Sequence, residues 1–189
     1  SWLHYFYCAD LVGAKTVSYP LLEENGFNVI PEDIEKLVTP KTKMVIVNSP
    51  NNPTGSILSK ESLQAIADIA NKYDLIVLSD EIYEKLIYDD SVHYSIASLD
   101  GMKERTVLIH GVSKSYSMTG WRIGFAVSAN KEFISAMIRV LQYTVTCANS
   151  FAQDGAEAAL RGSQQCVEDM RLQFDRRRKL VYDRINKIE

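Results

Sequence analysis

The sequence predicts an α/β fold, a mostly parallel sheet covered by helices on both faces. Two observations predict it. Four short apolar runs of strand length (Lys43–Val47, Leu75–Leu78, Thr106–His110 and Ile123–Val127) alternate with stretches whose apolar residues recur at helical spacing. Continuous apolar strands separated by helices are the pattern of a parallel sheet, because its crossover helices cover both faces.

In chain order, KMVIV at Lys43–Val47 follows a turn signal at Thr39-Pro40 and is the first strand. A helix follows in which Leu63, Ile66, Ala67 and Ala70 share a face, with Ser59 placed as its N-cap. LIVL at Leu75–Leu78 and the run Thr106–His110 are the next two strands. The fourth, Ile123–Val127, starts just after Trp121-Arg122. Phe133, Met137, Val140 and Leu141 mark a further amphipathic helix. From about Gln165 to the end, Val167, Met170, Phe174, Val181, Ile185 and Ile188 line one side of a long helix. No internal repeat, low-complexity tract or Pro/Gly/Ser-rich linker divides the chain.

Composition narrows the class. The chain has 189 residues, 46% hydrophobic and 24% charged. That length corresponds to one domain, or one plus a piece of another, and buries a core without a staple. With 9 glycines and 5 prolines it is not collagen-like or low in complexity. The net charge of -3 lacks the basic excess of a nucleic-acid binder. No apolar run approaches the roughly 18 residues of a membrane span. Ser1 to Asp10 carry no basic region and are not a signal peptide. Cys8, Cys147 and Cys166 are odd in number and scattered, which suits a reducing cytoplasm, and they are expected to pack as small apolar groups. A soluble, intracellular, globular protein is expected. The chain starts without Met and stops inside a helical pattern, so a piece of a longer protein is expected.

Ligands of such sheets bind beyond the carboxyl ends of the strands. Three polar groups stand there: Asn48-Ser49-Pro50-Asn51-Asn52-Pro53-Thr54-Gly55, then Ser79-Asp80-Glu81-Ile82-Tyr83, then Gly111-Val112-Ser113-Lys114, with Arg122 eight residues beyond the lysine. Taken singly, each has a plain explanation: a turn, a helix cap, a solvated surface charge. Other candidates carry less. Ser113-Lys114-Ser115 lacks the glycines of a phosphate-binding loop, since Ser113 and Leu108 stand in their places. Arg176-Arg177-Arg178-Lys179, with Asp169, Asp175 and Asp183 nearby, is a solvated helix face. Asp89, Asp90 and His93 have no second ligand cluster and form a surface turn, so no metal is expected. His4 and His110 belong to no nucleophile triad.

Together, in this order and placement, Asn-Pro-x-Gly, Asp-x-x-Tyr and Ser-Lys with Trp121-Arg122-Ile123-Gly124 resemble the class I/II aminotransferases. These are pyridoxal-phosphate enzymes of fold type I, aspartate-aminotransferase-like, and the resemblance runs from Trp2 to the last helix. It implies a three-layer αβα large domain over residues 1–164, incomplete at its N-terminus. It also implies that residues 165–189 are a long helix leading to a small C-terminal domain outside this chain.

The resemblance assigns roles as well. Lys114 forms the Schiff base with the cofactor's aldehyde and later carries the substrate's proton, which needs a pKa well below the usual value of about 10.4. Asp80 pairs with the pyridinium nitrogen and keeps the ring an electron sink. Tyr83 and Asn52 hydrogen-bond the phenolate oxygen, the bond before Pro53 being often cis in relatives. Arg122 and Ser113 grip the phosphate, and Trp2 stacks on the ring. Gly111 stands where many relatives have a phosphate-binding serine. The family's phosphate loop is implied to lie upstream of Trp2, and its substrate-carboxylate arginine beyond Glu189, so the fragment alone is expected to be inactive. The expected function is amino transfer between an amino acid and a 2-oxo acid by two half-reactions, in a cytoplasmic homodimer. A carbon–sulfur lyase on the same scaffold and a non-catalytic cofactor-binding module remain as alternatives.

Overall fold

A computed structural model of the chain describes residues 2–188; Ser1 and Glu189, the outer limits of the two expected domains, lie outside the described residues. Four strands form one sheet in the order β1 (Met44–Asn48), β2 (Ile76–Asp80), β3 (Thr106–Gly111) and β4 (Gly124–Val127). The first three are parallel, with Asn48 opposite Asp80 and Asp80 opposite Ile109. The last runs antiparallel to β3, with Gly111 opposite Gly124. The sheet is therefore mostly parallel, as expected. The β3–β4 connection holds only a short turn of helix at Thr119–Trp121, and without a full crossover helix the chain returns antiparallel.

Both β1 and β2 run further than their apolar cores. Asn48, Ser79 and Asp80 continue the ladder because backbone hydrogen bonding does not require apolar side chains. Beside them lie α1 (His4–Leu11), α2 (Pro31–Glu35), α3 (Lys60–Lys72), α4 (Lys131–Thr144), α5 (Ser150–Arg161) and α6 (Gln165–Ile185).

Helix α3 covers one face. Ser59 caps it by accepting from the Ser62 N–H, as the sequence predicts. Leu63, Ile66, Ala67, Ile69 and Ala70 are buried against Val45, Val47 and Val77 in the main core. Each large apolar side chain buried there contributes about 1.5–3 kcal/mol. A smaller core joins Val112 and Ile123 to Ala152 and Ala156 of α5.

Burial is uneven elsewhere. Met44, Phe125 and Val127 are exposed, so alternate strand positions are less covered than continuous apolar runs suggest. Asn130 caps α4, yet no residue of that helix is buried, and only Val167 is buried in α6. The three cysteines are free and exposed rather than packed: Cys8 lies on α1, which buries nothing, Cys147 follows α4, and Cys166 opens α6. Among the described residues, no helix is long and apolar enough to cross a membrane.

Candidate active site

The in-register carboxyl ends of β1, β2 and β3 and the start of β4 bring the segments that carry Asn52, Asp80, Tyr83, Ser113, Lys114 and Arg122 to one end of the sheet. Asp80 is the last residue of β2. Its carbonyl accepts from the Ser49 N–H and from the Asn48 side-chain amide, both at 3.2 Å, which locks β1 to β2 there. Its carboxylate is half-buried; Oδ1 accepts from the Ile82 N–H at 3.1 Å. Oδ2 accepts a short 2.5 Å hydrogen bond from the Tyr5 hydroxyl. Burial and the bond to Asp80 push the Tyr5 hydroxyl well above its ordinary pKa, so it stays a donor.

Lys114 follows β3. Its amine is half-buried and sits 5.6 Å from the centre of the Tyr83 ring, within cation–π reach. Among the described residues no carboxylate lies within ion-pair distance of it, and no hydrogen-bond partner engages it. Ser113 beside it is half-buried, its hydroxyl also without a protein partner among the described residues. Tyr83 lies on the turn after β2, three residues beyond Asp80, and carries the Lys114 amine over its ring.

Arg122 precedes β4, exposed, with Nη1 donating to the Thr119 carbonyl at 2.9 Å. Its backbone is left-handed, at φ 57°, which costs a non-glycine residue about 1–2 kcal/mol. Strain of this kind persists only where the surroundings enforce it. Asn52 is half-buried, its N–H donating to Asn48 Oδ1 at 3.0 Å, and the peptide bonds before Pro50 and Pro53 are both cis. Trp2 is 46% exposed and stacks on His4, with ring centres 4.7 Å apart. It stands one helical turn from Tyr5.

Behind this edge lies a set of groups that the motifs do not reveal. Glu81 is 3% exposed. Its Oε1 accepts from the Ser79 and Ser95 hydroxyls at 2.9 and 2.8 Å, and its Oε2 lies 2.8 Å from His93 Nε2. His93 is thus buried against Glu81 instead of lying on a surface turn with Asp89 and Asp90. Asp89 is exposed and pairs with Arg178 of α6. Glu84 Oε1 lies 3.0 Å from His110 Nε2, an ion pair when the ring is protonated. The adjacent ring holds the Glu84 carboxyl down at about 2, and the carboxylate raises His110.

A family model described as aminotransferase class I and II matches residues 1–189. The chain belongs to that family. An aspartate aminotransferase of Pyrococcus abyssi is 52% identical to it over 180 residues, 94% of this chain and 46% of the relative. The aromatic-amino-acid aminotransferase 2 of Thermococcus litoralis is 49% identical over 94% of this chain and 46% of its own length. Among solved aminotransferases, the aromatic aminotransferase from Pyrococcus horikoshii superposes with a TM-score of 0.95 at 46% identity, over 99% of this chain and 50% of its own. The Thermus thermophilus aspartate aminotransferase with maleate gives 0.91 at 38% identity, over 96% and 47%. The chain spans about half the length of the curated aminotransferases it matches.

Proposed function

We propose that this chain is the cofactor-binding part of a pyridoxal-phosphate-dependent amino-acid aminotransferase, which exchanges an amino group between an amino acid and a 2-oxo acid. The observation that carries it is the Lys114 amine, half-buried over the Tyr83 ring with no acid partner among the described residues. An amine so placed is free to bond an aldehyde carbon and is not half of a surface ion pair. The donor set fits the cofactor: an amine for its aldehyde, a carboxylate for its ring nitrogen, a guanidinium fork and a hydroxyl for its phosphate. When bound, pyridoxal phosphate supplies an electron sink for the carbanion at the substrate's α-carbon.

The chain's own residues do the rest. Lys114 holds the aldehyde and, once released, moves a proton at Nζ. Asp80, with Tyr5 donating to it, keeps the ring nitrogen protonated. Tyr83 and Asn52 orient the phenolate side, Arg122 and Ser113 the phosphate, and Trp2 one face of the ring. We read residues 1–164 as the large domain, with 165–189 leading to a small one, in a cytoplasmic homodimer. That the relatives are named for both aspartate and aromatic amino acids supports an amino acid as the donor.

The test is the Lys114→Ala variant of the intact protein. Wild type is expected to be yellow, to carry cofactor attached at Lys114 after borohydride reduction, and to form glutamate from 2-oxoglutarate and an amino donor. The variant is expected to lose the attachment and the turnover. Attachment elsewhere, or wild-type turnover without Lys114, would refute the proposal. Pyruvate and ammonia released from cystathionine, with no glutamate formed, would mark a lyase instead.

A further inference from the structure

Glu81 follows Asp80 directly, but the strand's two-residue period sends its side chain the other way. Its neighbours on that side of β2, Val77 and Ser79, are 0% and 2% exposed. A carboxylate there costs more to bury than an apolar residue of the same size, and a whole buried ionic cluster can often be replaced by apolar residues without loss of stability. Fold stability alone therefore does not account for it.

The bonds that satisfy Glu81 come from three directions. Ser79 belongs to its own strand, while His93 and Ser95 belong to the segment that returns after the exposed 89–90 turn. Its N–H donates to the Ile109 carbonyl at 3.0 Å, tying the same residue to β3, and its carbonyl accepts from the Glu84 N–H. On the opposite side, Asp80 Oδ1 accepts from the Ile82 N–H. The peptide units from Asp80 to Ile82 are thus gripped from the interior by one carboxylate and present another toward the edge. Glu81, Glu84 and His93 each have a ligand atom within 4.8 Å of the others, but hydrogen bonds already occupy both Glu81 oxygens. The arrangement is a closed clamp.

We propose that Glu81 is a positioning residue: its interior bonds to Ser79, His93 and Ser95 fix the Asp80–Ile82 turn and thereby hold the Asp80 carboxylate at the angle the cofactor's ring nitrogen requires. This rests on the reading of Asp80 as the ring-nitrogen partner. A misplacement of about 1 Å at a reacting group costs on the order of 100-fold in rate. Loss of the clamp is therefore read in catalysis and in the bound cofactor's spectrum, separately from its cost in stability.

The experiment uses the intact protein loaded with pyridoxal phosphate. Glu81→Met removes all three bonds at similar volume; Glu81→Gln keeps an acceptor for the two serines. Glu81→Met leaves the Ser79 and Ser95 hydroxyls and His93 Nε2 without their partner, so it is expected to melt below wild type but to remain folded at assay temperature and to bind cofactor. Its kcat should fall on the order of 10- to 100-fold with KM for the amino donor within about twofold. The pH midpoint of its visible cofactor band should also move, and Glu81→Gln should recover part of both. A folded, loaded Glu81→Met with wild-type kcat and an unmoved midpoint overturns the inference. If that variant does not fold, Ser95→Ala, which removes one bond to Oε1, must show the same split in smaller measure, and wild-type behaviour there overturns it equally. A wild-type protein that binds no cofactor would instead overturn the functional reading beneath it.

Discussion

Glu84 and His110 form an electrostatic pair whose pH dependence can be worked out from its geometry. The His110 ring, 3.0 Å away, lowers the Glu84 carboxyl from its ordinary 4.5 to about 2. A carboxyl held that far down is worth about 3 kcal/mol undiminished. With the Glu84 side chain 28% exposed, solvent screening reduces this to about 1–2 kcal/mol. Two effects compete at His110: the Glu84 carboxylate favours the imidazolium, whereas burial of the ring favours the neutral form. The adjacent carboxylate outweighs burial, and His110 is raised above its ordinary 6.5. The depressed Glu84 contributes stability that is complete above 4.5 and lost as pH falls toward about 2. The raised His110 contributes stability that is complete below 6.5 and lost as pH rises through its folded value. A double-mutant cycle of Glu84→Gln and His110→Asn, followed by urea unfolding, should give a coupling of about 1–2 kcal/mol near pH 5.5. That coupling should shrink on both sides. A coupling flat with pH, or larger at pH 9 than at pH 5.5, would refute the pairing.

Tyr5→Phe deletes the donor to Asp80 and should cost about 1.5–3 kcal/mol in urea unfolding and weaken cofactor binding; an unchanged midpoint would mean the bond is not formed in solution. Ser59→Ala removes the α3 cap and should cost about 1 kcal/mol, with Ser59→Gly costing less. Gly111→Ser should not supply a phosphate hydroxyl but should destabilise by about 1–3 kcal/mol, because a Cβ there meets the Ile123 carbonyl oxygen at 2.8 Å. Tighter cofactor binding in a fully stable Gly111→Ser protein would contradict this.

The strands and α3 were legible because their signals are local: β-branched apolar runs, a 3.6-residue apolar face and a serine one residue before it. Helix α5 was not, since its buried face consists of Ala152 and Ala156, whose small side chains stand out in no apolar count. Helix α1 buries no residue and so has no apolar face to detect. At the edge, Asp80, Tyr83 and Lys114 could be found because each ends or follows a strand. Tyr5 could not: its partner is 75 residues away, and an isolated tyrosine in an aromatic stretch carries no mark of that contact. His93 was misplaced for the same reason. Two aspartates just before it signal a turn, but its own environment is set by Glu81, twelve residues earlier.

The segment between β3 and β4 shows how packing explains a departure from the family pattern. Gly111 and Gly124 face each other in register, and any side chain at Gly111 would strike the Ile123 carbonyl. At the other side, a Cβ on Gly155 of α5 would overlap the Trp121 ring. Close approach at these two glycines pins the residues on either side of Arg122, whose left-handed backbone is otherwise unfavourable. The absent serine and the strained arginine are then one structural choice: the strands close tightly enough to exclude a side chain at 111, and the same closure enforces the left-handed conformation of Arg122, whose guanidinium donates to the Thr119 carbonyl.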